Sequence, residues 1–297
     1  MAFHIEDIFS VKDKVVVITG GARAALAEGF AQNGAKVYIT GRRAEVLNRA
    51  AKEIEGTASE GGQVIPIPGD VGTKHACAQL VEQIEQREKH VRRRMPSKRH
   101  KQRYDTHPRF GSALFLNTMQ VNISGVYFTT VGFVPLLRRS PDPSVIVIAS
   151  LAAVMNQRCV LNDAATCCST LTKCLQSHGD SDLCHFQALH LSKLLAGRFH
   201  PMKIRVNAVL PGIFPSEMTT TNKSSASASL NHFATAAAKR CTAGRAGLPE
   251  EIVGPCLMLS SKAGGYMNGG CIMVNGGRAM GGSINDGIRM PEDTYSY

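Results

Sequence analysis

The chain has 297 residues, of which 43% are hydrophobic and 19% are charged, and this balance predicts one globular domain without an interdomain linker. No apolar run approaches the roughly 20 residues that cross a bilayer, and the first residues lack the pattern of a signal peptide, so we expect a cytoplasmic protein with no membrane partner. Most of the net charge of +11 is concentrated between positions 87 and 109, which contain ten Lys or Arg and two acidic residues. The rest of the chain is nearly neutral, which favours an enzyme of small molecules.

Short β-branched runs alternate with amphipathic helical stretches, a pattern typical of a parallel sheet covered by helices on both faces. In chain order, strands are predicted at residues 14–20, 36–40, 64–67, 144–150, 204–210 and 271–275. Helices are predicted at residues 24–33, 43–54, 74–88, 119–137, 181–199 and 249–260. We therefore predict an α/β fold with a doubly wound, Rossmann-type parallel sheet, disrupted locally at residues 87–118 and 157–185.

A strand is missing where the alternation requires one, between residues 88 and 119. A basic segment, residues 87–118, occupies that place as an irregular insert or a replaced stretch. Its charge is also compatible with an arm that binds RNA or an acidic membrane. Because it has few aromatic residues to stack on bases, we interpret it as an irregular loop and expect no nucleic-acid partner.

Five of the nine cysteines lie between positions 159 and 184, together with histidines, and this cluster is a candidate zinc site. Zinc sites need paired ligands at short, regular spacings, which the cluster lacks, and the adjacent Cys167 and Cys168 would rarely bind one ion together. A cytosolic protein with an odd number of cysteines is expected to keep free thiols. We therefore predict no metal and no disulfide framework.

Nine short motifs follow one another in a fixed order at the predicted strand ends and turns. They are VVITGG (16–21), NGAKVYITGRR (33–43), GDV (69–71), VNISGVYF (121–128), IAS (148–150), IRVNAVLPGIF (204–214), GRAGLPEEIVG (244–254), YMNGG (266–270) and VNGG (274–277). This order resembles the short-chain dehydrogenase/reductase family, and more closely its fungal members similar to 3-oxoacyl carrier-protein reductases. The resemblance covers residues 10–86, 119–156 and 187–290. It implies a single domain over residues 1–297, a small-molecule carbonyl or alcohol substrate, and a homodimer or homotetramer built through the helices at 119–137 and 181–199.

The turn after the first strand is where a doubly wound fold binds the pyrophosphate of a dinucleotide, because free amide N–H groups and the helix dipole favour an anion. Ile18, Thr19, Gly20 and Gly21 begin the family's T-G-x3-G-x-G pattern. Only 14 residues separate Gly20 from Gly34, where the family usually has about 17, so two of the three cradle glycines are missing. The shortening rotates the next helix by roughly 60° and predicts weaker cofactor binding. An ordinary tight turn is the alternative.

The second strand ends in Thr-Gly-Arg-Arg, with no acidic residue to bind the ribose 2′-hydroxyl of NAD. Arg42 and Arg43 therefore favour NADP(H), whose 2′-phosphate pairs with guanidinium groups, although arginines that solvate a surface helix are the alternative. Asp70 and Val71 resemble the family's adenine contact, and a lone aspartate would otherwise cap a helix. Three residues at the end of the fifth strand complete the predicted cofactor site: Pro211, Gly212 and Ile213.

The resemblance implies hydride transfer to a carbonyl, with a proton donated by a tyrosine whose pKa a nearby lysine lowers. Asn122 and Ser150 match the asparagine and the serine that assist the family's reaction. The Tyr-x3-Lys pair is absent: its positions fall on Ser181 and His185, and no tyrosine lies between positions 128 and 265.

Another pair with the same spacing, Ser169-x3-Lys173, is a poor substitute. A serine hydroxyl has a pKa far above the ~10 of tyrosine, so a lysine cannot tune it for proton donation. We therefore interpret this pair as structural or incidental.

Residues 213–248 are predicted to form a lid over the substrate, since loops beyond the carboxyl ends of strands do so in this architecture. Eight of the fifteen residues from 216 to 230 are Ser or Thr, a composition that suits a mobile segment. We predict an NADP(H)-dependent oxidoreductase that reduces a ketone or β-keto (thio)ester to an alcohol, in fungal secondary metabolism. Two alternatives stay open, because lesions fall on three functional motifs. One is a catalytically inactive nucleotide-binding scaffold, and the other is the product of a faulty gene model.

Overall fold

A computed structural model of the chain describes residues 3–20, 24–58, 61–88, 119–154, 180–216, 219–220 and 229–281. Nearly all of the predicted basic insert, residues 89–118, therefore lies outside the described residues. The same holds for residues 155–179, which include Cys167, Cys168, Ser169 and Lys173. For residues 180–185 the description covers the backbone alone.

The six predicted strands all form, because each is an apolar, mostly β-branched run bounded by turn residues. Every observed boundary lies within two residues of its prediction. The strands are β1 (Val15–Thr19), β2 (Lys36–Gly41), β3 (Gln63–Pro68), β4 (Ser144–Ile148), β5 (Arg205–Pro211) and β6 (Cys271–Val274).

All described strand pairs are parallel, and they form two ladders, ordered β1-β2-β3 and β4-β5-β6. Thr19 lies opposite Thr40, and Ile148 lies opposite Val209, so the carboxyl ends of each ladder share one edge. The place where the alternation requires a further strand, between residues 88 and 119, lies outside the described residues, and the ladders are therefore described separately.

Helices cover both faces of the strands, as predicted. They are α1 (Ile5–Ile8), α2 (Ala24–Gln32), α3 (Ala44–Glu55), α4 (Lys74–Arg87), α5 (Val126–Leu137), α6 (Asp180–Phe199), α7 (His232–Lys239), α8 (Pro249–Ser260) and α9 (Arg278–Gly281). Along β2, Val37 and Ile39 pack in a core with α2, α3 and α8, whereas Tyr38 packs on the other face with α4 and α5. A third core joins α6 to β4 and β5. This alternation is what a buried strand between two helical layers requires.

Helix α8 links the two ladders. Its residues Cys256 and Leu259 share a core with α2 and with Val209 of β5. The approach to α2 is close, because a Cβ added at Gly29 would lie 2.3 Å from the Val253 side chain. Glycine is therefore required at this helix crossing.

A charged network closes the amino edge of both ladders. Asp142, just before β4, accepts from Lys14 at 3.0 Å and from the Arg205 guanidinium at 2.8 Å. Arg205 is buried and also donates to two carbonyl oxygens, those of Leu259 (3.0 Å) and Gly264 (2.8 Å). Burial alone would raise the pKa of Asp142, but the hydrogen bonds from the two cations outweigh it and lower that pKa. The network joins β1, β4, β5 and the end of α8.

The helix predicted at 119–137 forms, but its first part has a different geometry. Residues Gln120–Gly125 make a π-helix, and only then does the regular helix α5 begin. The stretch Gln120–Leu137 has a mean hydropathy of 1.2, and by length and composition alone it could span a membrane. In the folded chain, 22% of it is buried. The helix packs on α4, where a Cβ at Gly132 would lie 2.9 Å from Val81. It therefore belongs to the helical layer over the strands.

The disruption predicted to extend to residue 185 does not reach that far. Helix α6 begins at Asp180 and runs without interruption to Phe199. Acidic residues suit the positive end of a helix dipole, and the Asp-Ser-Asp sequence at positions 180–182 provides them. In the predicted lid, residues 217–218 and 221–228 lie outside the described residues, and α7 forms beyond them.

Candidate functional site

Gly20 begins the turn after β1, where the pyrophosphate site is predicted. Ile18 and Thr19 end the strand as predicted, and the Gly20 N–H donates to the Thr40 carbonyl at 2.9 Å. Gly20 has a φ of +96°, and a Cβ added there would meet nothing within 4 Å. Glycine is therefore suited to this turn, since other residues rarely adopt that backbone conformation. Gly21 lies outside the described residues.

Thr40 is a site residue that the sequence interpretation missed. It is buried, and its Oγ1 has no hydrogen-bond partner among the described residues. The next strand end lies against it, because Gly69 donates its N–H to the Gly41 carbonyl and a Cβ at Gly69 would approach the Thr40 hydroxyl to 3.3 Å. A buried hydroxyl without a partner is costly, so this strand edge offers a polar atom to a ligand. Its place just before Gly-Arg-Arg is the signal that could have found it.

Arg42 and Arg43 follow β2 on the surface, where both are exposed. Arg43 is the residue before α3, with extended backbone (φ −98°, ψ 96°), and its side chain does not cap the helix. No acidic residue stands between Thr40 and these arginines. Both arginines therefore lie just beyond the carboxyl end of β2, where 2′-phosphate recognition is predicted.

Asp70 does not cap a helix, which removes the alternative considered from the sequence. The N-cap of α4 is Thr73, whose hydroxyl accepts from the Ala76 N–H at 3.2 Å. Asp70 instead accepts from the Gly72 N–H at 2.9 Å and stays exposed at the end of β3. The adenine contact that the resemblance implies keeps an accessible carboxylate.

A pair of side chains behind β3 holds the Val71 carbonyl in place. The Cys77 thiol donates to Val71 O at 3.3 Å, and Thr129 Oγ1 donates to the Cys77 sulfur at 3.4 Å. Burial is the main reason why the pKa of Cys77 is raised, so the thiol stays protonated and keeps this role. The contact between Cys77 and Thr129 was not predicted, because it joins residues 52 positions apart.

Asn122 lies in the π-helix, half-buried, beside the end of β3. A Cβ added at Gly125 would lie 2.7 Å from the Val71 carbonyl, so only glycine permits this approach. The π-helix packs between α4, α5 and α6. One-turn π-helices occur often at functional sites because they shift the side chains on one helix face. The structure therefore places the predicted asparagine beside the segment that follows β3.

Ser150 follows β4, at the carboxyl edge of the second ladder. Its neighbour Ala149 donates its N–H to Val209 O at 3.0 Å, and this bond continues the ladder up to the serine. The Ser150 hydroxyl is half-buried and accepts from the Ala152 N–H at 3.2 Å, where it caps a short 3-10 turn. The turn packs on α6, as the π-helix of Asn122 does. The two predicted catalytic residues thus lie on elements that meet at one helix.

The tips of β5 and β6 complete the edge. Gly212 donates its N–H to Val274 O at 2.8 Å, and a Cβ added at Gly212 would lie 2.8 Å from the Asn275 Cα. Pro211 ends β5, and the carbonyl of Ile213 accepts from the Gly247 N–H at 2.8 Å. The three predicted cofactor residues therefore stand at the strand tips, tied to the segment that precedes α8.

A pocket of about 230 Å³ opens beside these tips. Its wall is formed by Ile213, Phe214, Cys241, Gly247, Glu251 and the residues from Met273 to Gly277. It touches the predicted cofactor site at Ile213 but does not include Ser150 or Asn122. The pocket was not predicted, because its wall combines three separate stretches of the chain.

The positions that correspond to the family's Tyr-x3-Lys pair, Ser181 and His185, lie on the first two turns of α6. They are therefore on the helix that packs against the elements of Asn122 and Ser150. Among the described residues, no group of three or more His, Cys, Asp or Glu could hold a metal ion. The described cysteines, at positions 77, 241, 256 and 271, are free thiols.

Comparison with known proteins decides the family. Residues 14–166 match the sequence model described as short chain dehydrogenase. The chain belongs to the short-chain dehydrogenase/reductase family. Residues 185–279 match a second model, described as enoyl-(acyl carrier protein) reductase. Every predicted site residue of this short-chain dehydrogenase lies in one of the two matched segments.

Relatives of this short-chain dehydrogenase occur in fungi and bacteria. The short-chain dehydrogenase/reductase PhomF of Diaporthe leptostromiformis is 29% identical, over 92% of this chain and 93% of the relative. A rhamnolipids biosynthesis 3-oxoacyl-[acyl-carrier-protein] reductase of Pseudomonas aeruginosa is 27% identical, over 91% and 97%. The Pseudomonas aeruginosa RhlG/NADP active-site complex has the same fold, with a TM-score of 0.68 at 24% identity over 92% of this chain and 98% of that one.

Proposed function

We propose that this short-chain dehydrogenase binds NADP(H) at the carboxyl edge of its strands and reduces a ketone or a β-keto thioester to an alcohol. The observation that carries the proposal is the position of the candidate residues at the carboxyl ends of the strands. Gly20, Arg42 and Asp70 follow the strands of the first ladder, and Ser150 and Gly212 follow strands of the second. Parallel sheets of this class bind dinucleotides at that edge.

The residues present fit the adenosine half of the cofactor. Arg42 and Arg43 would pair with the 2′-phosphate, and Asp70 would accept from the adenine. Thr40 offers a buried hydroxyl without a partner among the described residues. The pyrophosphate half is weaker, because the shortened turn after Gly20 provides fewer glycines for close backbone approach. NADP(H), when bound, supplies the hydride.

The chain's own residues provide part of the carbonyl chemistry. Ser150 would donate a hydrogen bond to the substrate carbonyl and so hold it in the plane that hydride transfer needs. Asn122 would hold a proton relay at the same edge. The proton donor itself has no matching tyrosine, and general acid catalysis typically contributes 10² to 10⁴ in rate. We therefore expect slow turnover from this chain.

The missing Tyr-x3-Lys pair favours a second candidate, a nucleotide-binding scaffold without turnover. An exposed apolar face would serve such a role. On α5, Tyr127 and Val131 are exposed, and on α6, Phe186 and Leu194 are exposed. These are the helices through which the family resemblance implies assembly, so we propose a cytoplasmic homodimer or homotetramer. Analytical ultracentrifugation tests the assembly.

Titration with NADPH and with NADH, followed by fluorescence, tests cofactor binding. We expect NADPH to bind at least tenfold more tightly than NADH. Turnover is then measured with a β-keto ester and saturating NADPH. Slow oxidation of NADPH supports the reductase, and binding without any turnover supports the scaffold. If neither cofactor binds to folded protein, both candidates are refuted. The fungal relative suggests secondary metabolism as the setting, and the products of a strain that lacks the gene would test it.

A further inference from the structure

Phe214 is a fixed part of the wall of the pocket at the tips of β5 and β6. It follows Ile213, and both residues line the pocket. A Cβ added at Gly247 would lie 2.4 Å from two carbons of the Phe214 ring, Cε1 and Cζ. Gly247 lines the pocket too, so the edge of the ring rests directly on the backbone of the segment that precedes α8. A side chain at position 247 would push the ring out of this place.

The main chain around Phe214 is held on both sides. The Ile213 carbonyl accepts from the Gly247 N–H at 2.8 Å, and the Phe214 carbonyl accepts from Thr219 Oγ1 at 2.7 Å. Just before them, the Gly212 N–H donates to Val274 O at 2.8 Å, which ties the segment to β6. A ring on an anchored backbone has few rotamers available, so Phe214 forms a rigid boundary of the pocket.

The two ionisable side chains of the described pocket wall are already engaged within the protein. Glu251 forms a two-pronged ion pair with Arg245, with contacts of 2.7 and 2.8 Å, and it accepts from the Leu248 N–H at 2.7 Å. The Cys241 thiol donates to the Ala237 carbonyl at 3.6 Å, and burial raises the pKa of this thiol, so it stays neutral. Apolar side chains form much of the remaining wall, those of Ile213, Phe214, Met273 and Val274. The group that suits this wall is therefore uncharged and largely apolar.

We propose that this pocket receives the apolar group on the carbonyl carbon of the substrate, and that Phe214 limits the length of that group. The inference rests on the proposed function and names the class of its substrate, β-keto esters or thioesters with an apolar chain of medium length. A cavity of about 150 Å³ takes up benzene, so a volume of about 230 Å³ holds roughly nine non-hydrogen atoms. Ile213 belongs both to the pocket and to the predicted cofactor site, so the pocket adjoins the edge at which reduction would take place.

The test is isothermal calorimetry with three ethyl β-keto esters, in the presence of NADP⁺, which cannot donate a hydride. The esters carry a methyl, a heptyl or an undecyl group on the carbonyl carbon, and these groups lie below, near and above the size limit. We expect the wild-type protein to bind the heptyl ester at least about tenfold more tightly than the methyl ester, because each buried methylene adds affinity, and to gain nothing further with the undecyl ester. Phe214→Ala should raise the affinity for the undecyl ester about tenfold. Gly247→Ala should lower the affinity for the heptyl ester about tenfold, because the displaced ring narrows the pocket, and the methyl ester should change by no more than about twofold in either variant.

The matched control is Phe9→Ala, which removes an exposed ring just after α1 and should keep the wild-type order of affinities. An unchanged order in folded Phe214→Ala would overturn the proposal, and so would equal losses for all three esters, because these indicate a purely structural role for the ring. Wild-type protein without a preference among the esters would overturn it as well. If Phe214→Ala does not fold, Phe214→Leu should change the order in the same direction, and an unchanged order there contradicts the proposal. NADP⁺ titration, and ester titration without cofactor, are independent: chain-length selectivity that responds to Phe214 in protein that binds no NADP⁺ refutes the proposed function alone.

Discussion

Replacing Asp142 by alanine should destabilise the protein more than removing an exposed charged side chain does. The aspartate joins Lys14 and Arg205 at 3.0 and 2.8 Å, and the Arg205 side chain is only 10% exposed. Breaking a fully buried ion pair costs about 3–5 kcal/mol, and breaking an exposed pair costs about 0–1 kcal/mol. Because Asp142 itself is 32% exposed, we expect an intermediate loss of about 2 kcal/mol.

Thermal and urea unfolding, followed by circular dichroism, measure this loss, and for a chain of 297 residues 2 kcal/mol corresponds to a fall in Tm of about 3 °C. The matched control is Glu53→Ala, which removes one partner of an exposed pair with Arg49 at 4.0 Å and should cost under about 0.5 kcal/mol. If Asp142→Ala is no more destabilising than Glu53→Ala, the network does not stabilise the amino edge.

The pH dependence gives a second check on the same network. The pKa of Asp142 is lowered in the folded protein, so its ionised form contributes stability above its unfolded pKa of about 3.9. That contribution is lost as the pH falls through the lower, folded pKa. The difference in stability between wild type and Asp142→Ala should therefore be constant from pH 6 to 7 and shrink below about pH 4. A difference that grows on acidification would contradict the assignment.

Three further variants test the packing and the site. Gly29→Ala should lower the free energy of unfolding, measured in urea, by about 1–3 kcal/mol, because the alanine Cβ would lie 2.3 Å from the Val253 side chain. This loss is expected despite the higher helix propensity of alanine, and Val253→Ala should restore most of it. An unchanged free energy of unfolding in Gly29→Ala would show that the helices can separate. Arg42→Ala should weaken NADPH binding about tenfold and leave NADH binding unchanged, as fluorescence titration can determine, and an equal loss for both would argue against 2′-phosphate recognition. Ser181→Tyr combined with His185→Lys should raise NADPH-dependent turnover of a β-keto ester by about 10² or more, and no gain in folded protein would mean that these positions do not face the substrate.

The strands were predictable because local chemistry decides them. Each is an apolar, β-branched run that ends at Gly, Pro or a polar turn, and tertiary packing moved no boundary by more than two residues. The candidate site residues at strand ends came from the family's motifs, together with the rule that ligands bind at the carboxyl ends of parallel strands. Helix α6 was predicted from residue 181 and begins at Asp180, so its start lies within one residue of the prediction.

Features that depend on contacts between distant residues were not predictable. The π-helix at Gln120–Gly125 accompanies a close approach of Gly125 to the Val71 carbonyl, and a helical period in the sequence does not reveal that contact. The sequence left capping by Asp70 open as an alternative, but Thr73 caps α4, because a shift of one or two residues decides which side chain reaches the first turn. The pocket beside the tips of β5 and β6 was also not predicted, since its wall combines the ends of β5, α7 and β6 with the start of α8.

The position of α8 has a consequence for how the polypeptide matures on the ribosome. The β1-β2-β3 unit is synthesised first, yet the face of α2 around Gly29 is covered by Val253, more than 200 residues later in the chain. Until that helix emerges, the nascent amino-terminal half exposes an apolar surface of the kind that chaperones bind. Completion of folding is therefore a late event, coupled to the emergence of the last quarter of the chain.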